Sequence, residues 1–133
     1  MTDEIRIELA SDVDMVPARR KGRELADKLG FSRTDATLIA TAISEVARNI
    51  LMHVGEGEII LSGTQEQGRD CITVVARDSG PGIADVALAM RDGESHEGGL
   101  GLGLPGSRRL MDDFSIESEV GRGTTVTMKK WKS

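Results

Sequence analysis

Gly99-Leu100-Gly101-Leu102-Gly103-Leu104-Pro105-Gly106, running on into Ser107-Arg108-Arg109-Leu110-Met111, decides how the rest of this chain is read. Glycine at every second position, and again at 106, makes a backbone that bends tightly and approaches a ligand with no Cβ in the way. A turn of this kind opening into a helix presents unpaired N–H groups and the positive end of the helix dipole to an anion, most often phosphate. Flexible linkers and Rossmann turns carry similar glycine runs, so the surrounding residues must choose between these readings.

The 133 residues suffice for one domain with a sizeable core. With two Phe, one Trp and no Tyr, that core is aliphatic. No stretch of about twenty apolar residues is present, so no membrane span is expected. The acidic start Met1-Thr2-Asp3-Glu4 lacks a signal-peptide pattern. The single cysteine, Cys71, lies in an apolar run and reads as a buried thiol of a reduced, cytoplasmic protein. A formal net charge of −5 argues against nucleic acid as a partner, since that needs a dense basic face. The group Arg19-Arg20-Lys21 with Arg23 runs against this balance. It reads either as a solvated helix face or as a docking patch for an acidic protein.

Ile5, Ile7 and Leu9 alternate with Arg6 and Glu8, a half-buried strand. Ser11 and Asp12 are suited to cap a helix running to about Leu29 and stopped by Gly30. Ser32, with Asp35 three residues on, starts a second helix through about His53, with Leu38, Ala42, Val46 and Ile50 as its apolar stripe. Strands follow at Glu58 to Gln65 and Cys71 to Arg77, with Gln67-Gly68-Arg69-Asp70 as the turn. From Ser79 to Gly99 the periodicity is lost apart from a short helical pattern at Ala84 to Met90, and loops of that length are functional or disordered. A helix from about Leu104 to Asp112 and strands Phe114–Glu119 and Thr124–Trp131 complete the pattern. The order points to an α+β two-layer sandwich, with helices on one face of a mixed, largely antiparallel sheet.

Glu45, Asn49 and His53 recur at i, i+4 and i+8 along one side of the second helix. An amide oxygen there suits Mg²⁺, and a carboxylate suits a general base, although a solvent-facing stripe has the same composition. Asp78-Ser79-Gly80-Pro81-Gly82 ends an apolar strand. Its carboxylate is placed to accept from an exocyclic amine such as adenine N6, or the segment is a plain turn. Gly121-Arg122-Gly123-Thr124-Thr125 offers a threonine hydroxyl to a base, or is an ordinary hairpin.

Taken together and in this order, the four elements resemble the nucleotide site of the GHKL (Bergerat) ATP-binding superfamily. Glu45-x-x-x-Asn49-x-x-x-His53 is similar to its N box, and Asp78-x-Gly80-x-Gly82 to its G1 box. Gly99 to Gly106 is similar to its G2 box and Gly121-x-Gly123-Thr124 to its last glycine-threonine box. No P-loop or protein-kinase catalytic loop is present. The resemblance implies ATP and Mg²⁺ as cofactors, Glu45 as catalytic base and Asn49 on the metal. It also implies a nucleotide held by Asn49, Asp78, Gly80, Gly82, Gly99, Leu100, Gly101, Leu102, Gly103, Leu104 and Thr124, under a lid spanning about 79–99. Arg91 and His96 fall in that lid, as phosphate contacts or as ordinary loop residues.

A single domain of 1–133 leaves no room for a gyrase-type transducer or for histidine-kinase dimerisation helices. The continuation Pro105-Gly106-Ser107-Arg108-Arg109-Leu110-Met111-Asp112-Asp113-Phe114, with Ala40 to Ile50, resembles the switch kinases of stressosome signalling. Anti-sigma kinases usually run from the glycine box directly into helix. The resemblance implies a serine/threonine kinase acting on STAS-domain scaffold and antagonist proteins, which on release binds and activates a PP2C-type phosphatase. The alternative is an anti-sigma-factor kinase, a nucleotide-gated module that binds a sigma factor. His53 is a departure, since switch kinases need not keep it, and it reads as a histidine at a helix C-terminus.

Overall fold

The computed structural model describes residues 4–82 and 104–132. Strands β1 (Glu4–Leu9), β2 (Gly57–Glu66), β3 (Arg69–Asp78), β4 (Asp113–Glu119) and β5 (Gly123–Trp131) form one sheet in the order β1-β2-β3-β5-β4. Each described pairing is antiparallel. Helices α1 (Met15–Lys28) and α2 (Arg33–His53) cover one face, and the short α3 (Leu104–Leu110) packs on α2. The expected α+β sandwich is the observed architecture.

Strand alternation explains which face is covered. On β3, Ile72, Val74 and Ala76 are buried in the same cluster as Ile39, Ile43 and Val46 of α2. Leu9, Ile59, Leu61 and Met128 complete a core without tyrosine, each worth about 1.5–3 kcal/mol of burial. The helix ends follow local chemistry. Ser32 Oγ accepts from the Asp35 N–H at 3.1 Å and starts α2. Beyond α1, the Phe31 N–H reaches the Ala26 carbonyl and the Gly30 N–H the Asp27 carbonyl, both at 3.0 Å, with Gly30 at φ +86°. This is the paired termination that a C′ glycine permits.

Four expectations shift. Ser11 does not open α1: a 3₁₀ turn, Asp12–Asp14, intervenes, and the Asp14 carboxylate accepts from the Ala10 and Ser11 N–H groups. The β2–β3 turn is only Gln67-Gly68, both at positive φ, so Arg69 and Asp70 belong to β3. Two such residues match the twist of the strands, which a longer turn need not do. Leu38 is half-buried, while Ile39 and Ile43 are fully buried. The buried face is wider than a single stripe because α1, α3 and the sheet all contact α2. Finally, α3 ends at Leu110 instead of Asp112. There the Asp112 N–H donates to the Lys129 carbonyl of β5. The helical pattern expected at Ala84 to Met90 lies outside the described residues.

Candidate functional site

Asp78 closes β3 and stands directly opposite Thr124 of β5. Both side chains lie on the helix-covered side of the sheet, Asp78 9% and Thr124 6% exposed. A carboxylate this enclosed needs partners. Asp78 Oδ1 accepts from the Gly80 N–H at 2.9 Å, which bends the chain out of β3. Among the described residues, Oδ2 takes no hydrogen bond from protein.

The glycines around Asp78 are spaces that a side chain would fill. At Gly123, φ is +117° and a Cβ would strike the Asp78 carbonyl. At Gly82, φ is +81° and a Cβ would strike the Glu119 carbonyl. Both conditions restrict the position to glycine. The Gly121 N–H donates to the Pro81 carbonyl at 2.8 Å, so the two glycine segments are tied together. A Cβ at Gly80 would meet a Val54 methyl at 2.6 Å, and one at Gly57 an Ile50 methyl at 2.8 Å. The last turn of α2 is thereby drawn against the end of β3. What results is a ledge of bare backbone beside an enclosed carboxylate.

On α2, Glu45 and Asn49 occupy the half-buried flank between core and solvent. The Glu45 side chain is 16% exposed, with Oε1 3.6 Å from Nη1 of Arg48. His53 is exposed at the C-terminal end of the helix, as expected of a residue near the negative dipole end. The fully buried Ser107 of α3 donates to the Ala42 carbonyl at 3.5 Å, which fixes α3 beside α2 one turn before Glu45. An open groove of about 780 Å³ adjoins these elements, lined in part by Glu8, His53, Glu56 and Arg77. It shares Asp78 to Pro81 with the glycine ledge but touches neither Glu45, Asn49 nor Thr124, so it borders the site.

The structure thus brings Asp78, Gly80, Gly82 and Thr124 together and sets Glu45 and Asn49 on the adjoining helix. Leu104 begins α3. Gly99, Leu100, Gly101, Leu102 and Gly103, with Arg91, His96 and the lid beyond Gly82, lie outside the described residues. Sequence reading missed Ser118, whose Oγ is 2.8 Å from Thr124 Oγ1 and donates to the Gly123 carbonyl at 3.3 Å. The signal was available: β4 alternates Phe114, Ile116, Ser118 inward, and a hydroxyl stands where an apolar residue is the default.

Residues 9–130 match the histidine kinase-like ATPase domain. The chain belongs to this family. It is 44% identical over 131 residues to the serine/threonine-protein kinase RsbT of Bacillus subtilis, covering 98% of each chain. It is 32% identical over 109 residues to an anti-sigma F factor of Clostridium kluyveri, covering 74% of this chain and 76% of that one. The structure of the RsbU and RsbW domains of a Mycobacterium tuberculosis protein superposes with a TM-score of 0.64 at 20% identity. That match covers 100% of this chain and 33% of the larger one, and it is a likeness of fold. Near-complete correspondence with RsbT puts this histidine kinase-like ATPase in the serine/threonine kinase branch, with anti-sigma F factors among its relatives. Among the described residues, no helix is long and apolar enough to cross a membrane.

Proposed function

We propose that this protein is an ATP-dependent kinase that phosphorylates serine or threonine on STAS-domain scaffold and antagonist proteins of a stressosome-type partner-switching pathway. On release from them it binds and activates a PP2C-type phosphatase. The observation that carries the reading is the pairing of Asp78 with Thr124 beside the end of the helix that bears Glu45 and Asn49. The likeness to RsbT supports the substrate class.

In this reading Asp78 Oδ2 accepts from the exocyclic amine of adenine, and Thr124 adds a hydroxyl at the same edge. The ledge of Gly80, Gly82 and Gly123 admits the ring against backbone. Asn49 supplies a carbonyl oxygen to Mg²⁺, which when bound neutralises phosphate charge. Among the described residues no three His, Cys, Asp or Glu side chains converge. Mg²⁺ ordinarily keeps several waters and takes phosphate oxygens beside one or two protein ligands. Glu45 takes the proton of the incoming hydroxyl as its oxygen bonds to the γ-phosphorus and the bond to the ADP oxygen breaks. Arg48, with Nη1 3.6 Å from Glu45 Oε1, adds a positive charge beside that carboxylate. The run Gly99 to Leu104 is assigned to the phosphates by resemblance alone.

Incubation with labelled ATP, Mg²⁺ and candidate STAS-domain proteins tests the reading. Label on serine or threonine is the expected result, and ATP binding without transfer to any of them would refute the kinase assignment. The relationship to the anti-sigma F factor favours a second reading, a kinase that also sequesters a sigma factor. Nucleotide-dependent retention of a sigma factor would move the assignment there.

A further inference from the structure

Glu45 sits on the flank of an exposed ridge of α2. Thr41 lies one turn before it, and Arg48 and Met52 lie one and two turns after, on the same side of the helix. Thr41, Arg48 and Met52 are exposed, whereas Glu45 is half-buried. The hydroxyls of this ridge are turned back on the helix: Thr37 Oγ1 donates to the Arg33 carbonyl at 3.0 Å, and Thr41 Oγ1 to the Thr37 carbonyl at 2.9 Å. Arg48 does not spend its donors in this way. Among the described residues its contact is Glu45 Oε1 at 3.6 Å, too long for a hydrogen bond, and its side chain is 45% exposed. An exposed pair of this kind contributes little and exchanges readily for a better one. Met52, a flexible side chain suited to irregular contacts, is the large apolar residue that α2 leaves open, at 51% exposure.

A general base takes a proton from a hydroxyl within about 2.6–3.2 Å, and helix neighbours three or four apart have Cβ atoms about 5–6 Å from each other. A protein that delivers a hydroxyl to Glu45 therefore covers Arg48 as well, and its surface runs on toward Met52. From this we propose that the ridge of Thr41, Arg48 and Met52 is where the protein substrate docks. Arg48 selects that substrate by taking a carboxylate beside the acceptor hydroxyl, and Met52 covers an apolar side chain one turn further along. The inference rests on the assignment of Glu45 as the base. Charge is what commits the occupant. On a chain of net charge −5 an acidic partner is repelled overall, and a local cation decides where it is accepted. A guanidinium with unspent donors grips a carboxylate through two parallel bonds, which Glu45 does not engage at 3.6 Å.

The test is steady-state phosphorylation of a STAS-domain protein by the wild type, Arg48→Ala, Arg48→Lys, Arg48→Glu and Met52→Ala, with ATP binding and thermal melting of each alongside. Absence of transfer by the wild type refutes the kinase reading itself, and this inference falls with it. Given transfer, Arg48→Ala is expected to raise KM for the protein substrate about five- to tenfold, and Met52→Ala about two- to fivefold, while ATP affinity stays near wild type. Arg48→Lys keeps the charge without the paired bonds and is expected to fall between Arg48→Ala and the wild type. The sharpest arm reverses both charges. Arg48→Glu is expected to recover transfer when an Asp or Glu beside the labelled residue of the substrate is replaced by Arg. An unchanged KM in Arg48→Ala, a loss confined to kcat, an equal loss of ATP affinity, or no recovery with any charge-reversed substrate would overturn the proposal.

Discussion

Asp78 and Thr124 are separated by 46 positions in the chain yet face each other across one rung of the β3–β5 ladder. Gly123, immediately before Thr124, touches the Asp78 backbone so closely that no side chain fits between them. Strand end, glycine and hydroxyl therefore move as one unit, and substitutions in it are expected to act on nucleotide binding before they act on chemistry.

Asp78→Asn keeps an oxygen to accept from the Gly80 N–H, so the turn should survive. What is lost is the charge of the acceptor that the proposed function places against the base. A hydrogen bond to a charged group is worth about 1.5–3 kcal/mol. Calorimetric titration should show ATP affinity falling by roughly ten- to a hundredfold, and unchanged affinity would remove Asp78 from the base contact.

Glu45→Gln should do the reverse. The amide cannot take a proton at neutral pH, and general-base assistance is worth about 10²–10⁴ in rate. Transfer to the protein substrate is expected to fall by that order while ATP affinity stays near wild type, because the base acts on the transition state. Single-turnover phosphorylation with a parallel binding assay separates the two effects.

Gly123→Ala forces a Cβ into the Asp78 carbonyl at a backbone φ of +117°. Strain of this kind costs on the order of 1–3 kcal/mol. Denaturant melts should report that loss. Nucleotide affinity should fall with it, since the carboxylate and the hydroxyl are displaced together.

Cys71 predicts a pH dependence unrelated to the site. It is fully buried, and burial pushes its thiol pKa up. Below the unfolded value of about 8.5 the thiol is protonated in both states, and its contribution is complete. As pH rises from there through the raised folded value, the unfolded chain ionises first and stability is lost. Lys129 is also raised, by its bond to Glu66, but its window opens higher, above about 10.4. Melts between pH 7.5 and 10 should therefore fall with pH in the wild type. The slope should flatten in Cys71→Ala, whatever its absolute stability.

Much of this was legible from neighbouring residues. The Ser32 cap, the stop at Gly30 and the end of α2 at His53 each depend on contacts within four or five positions, so the order of residues carries them. The strands were legible because β1, β3 and β5 alternate against a single covered face. The apolar stripe of α2 was less so. Leu38 satisfies the spacing but stays half-buried, because burial depends on where α1 and α3 lie, and spacing is silent on that.

Ser118 shows the division most plainly. Capping, alternation and glycine turns are short-range effects, and from them the elements and the two-layer class could be read along the chain. Strand adjacency is a long-range effect, decided by which surfaces must be buried together. Only with β5 inserted between β3 and β4 does Thr124 acquire Asp78 on one side and Ser118 on the other, and only then do the hydroxyls of Ser118 and Thr124 meet at 2.8 Å.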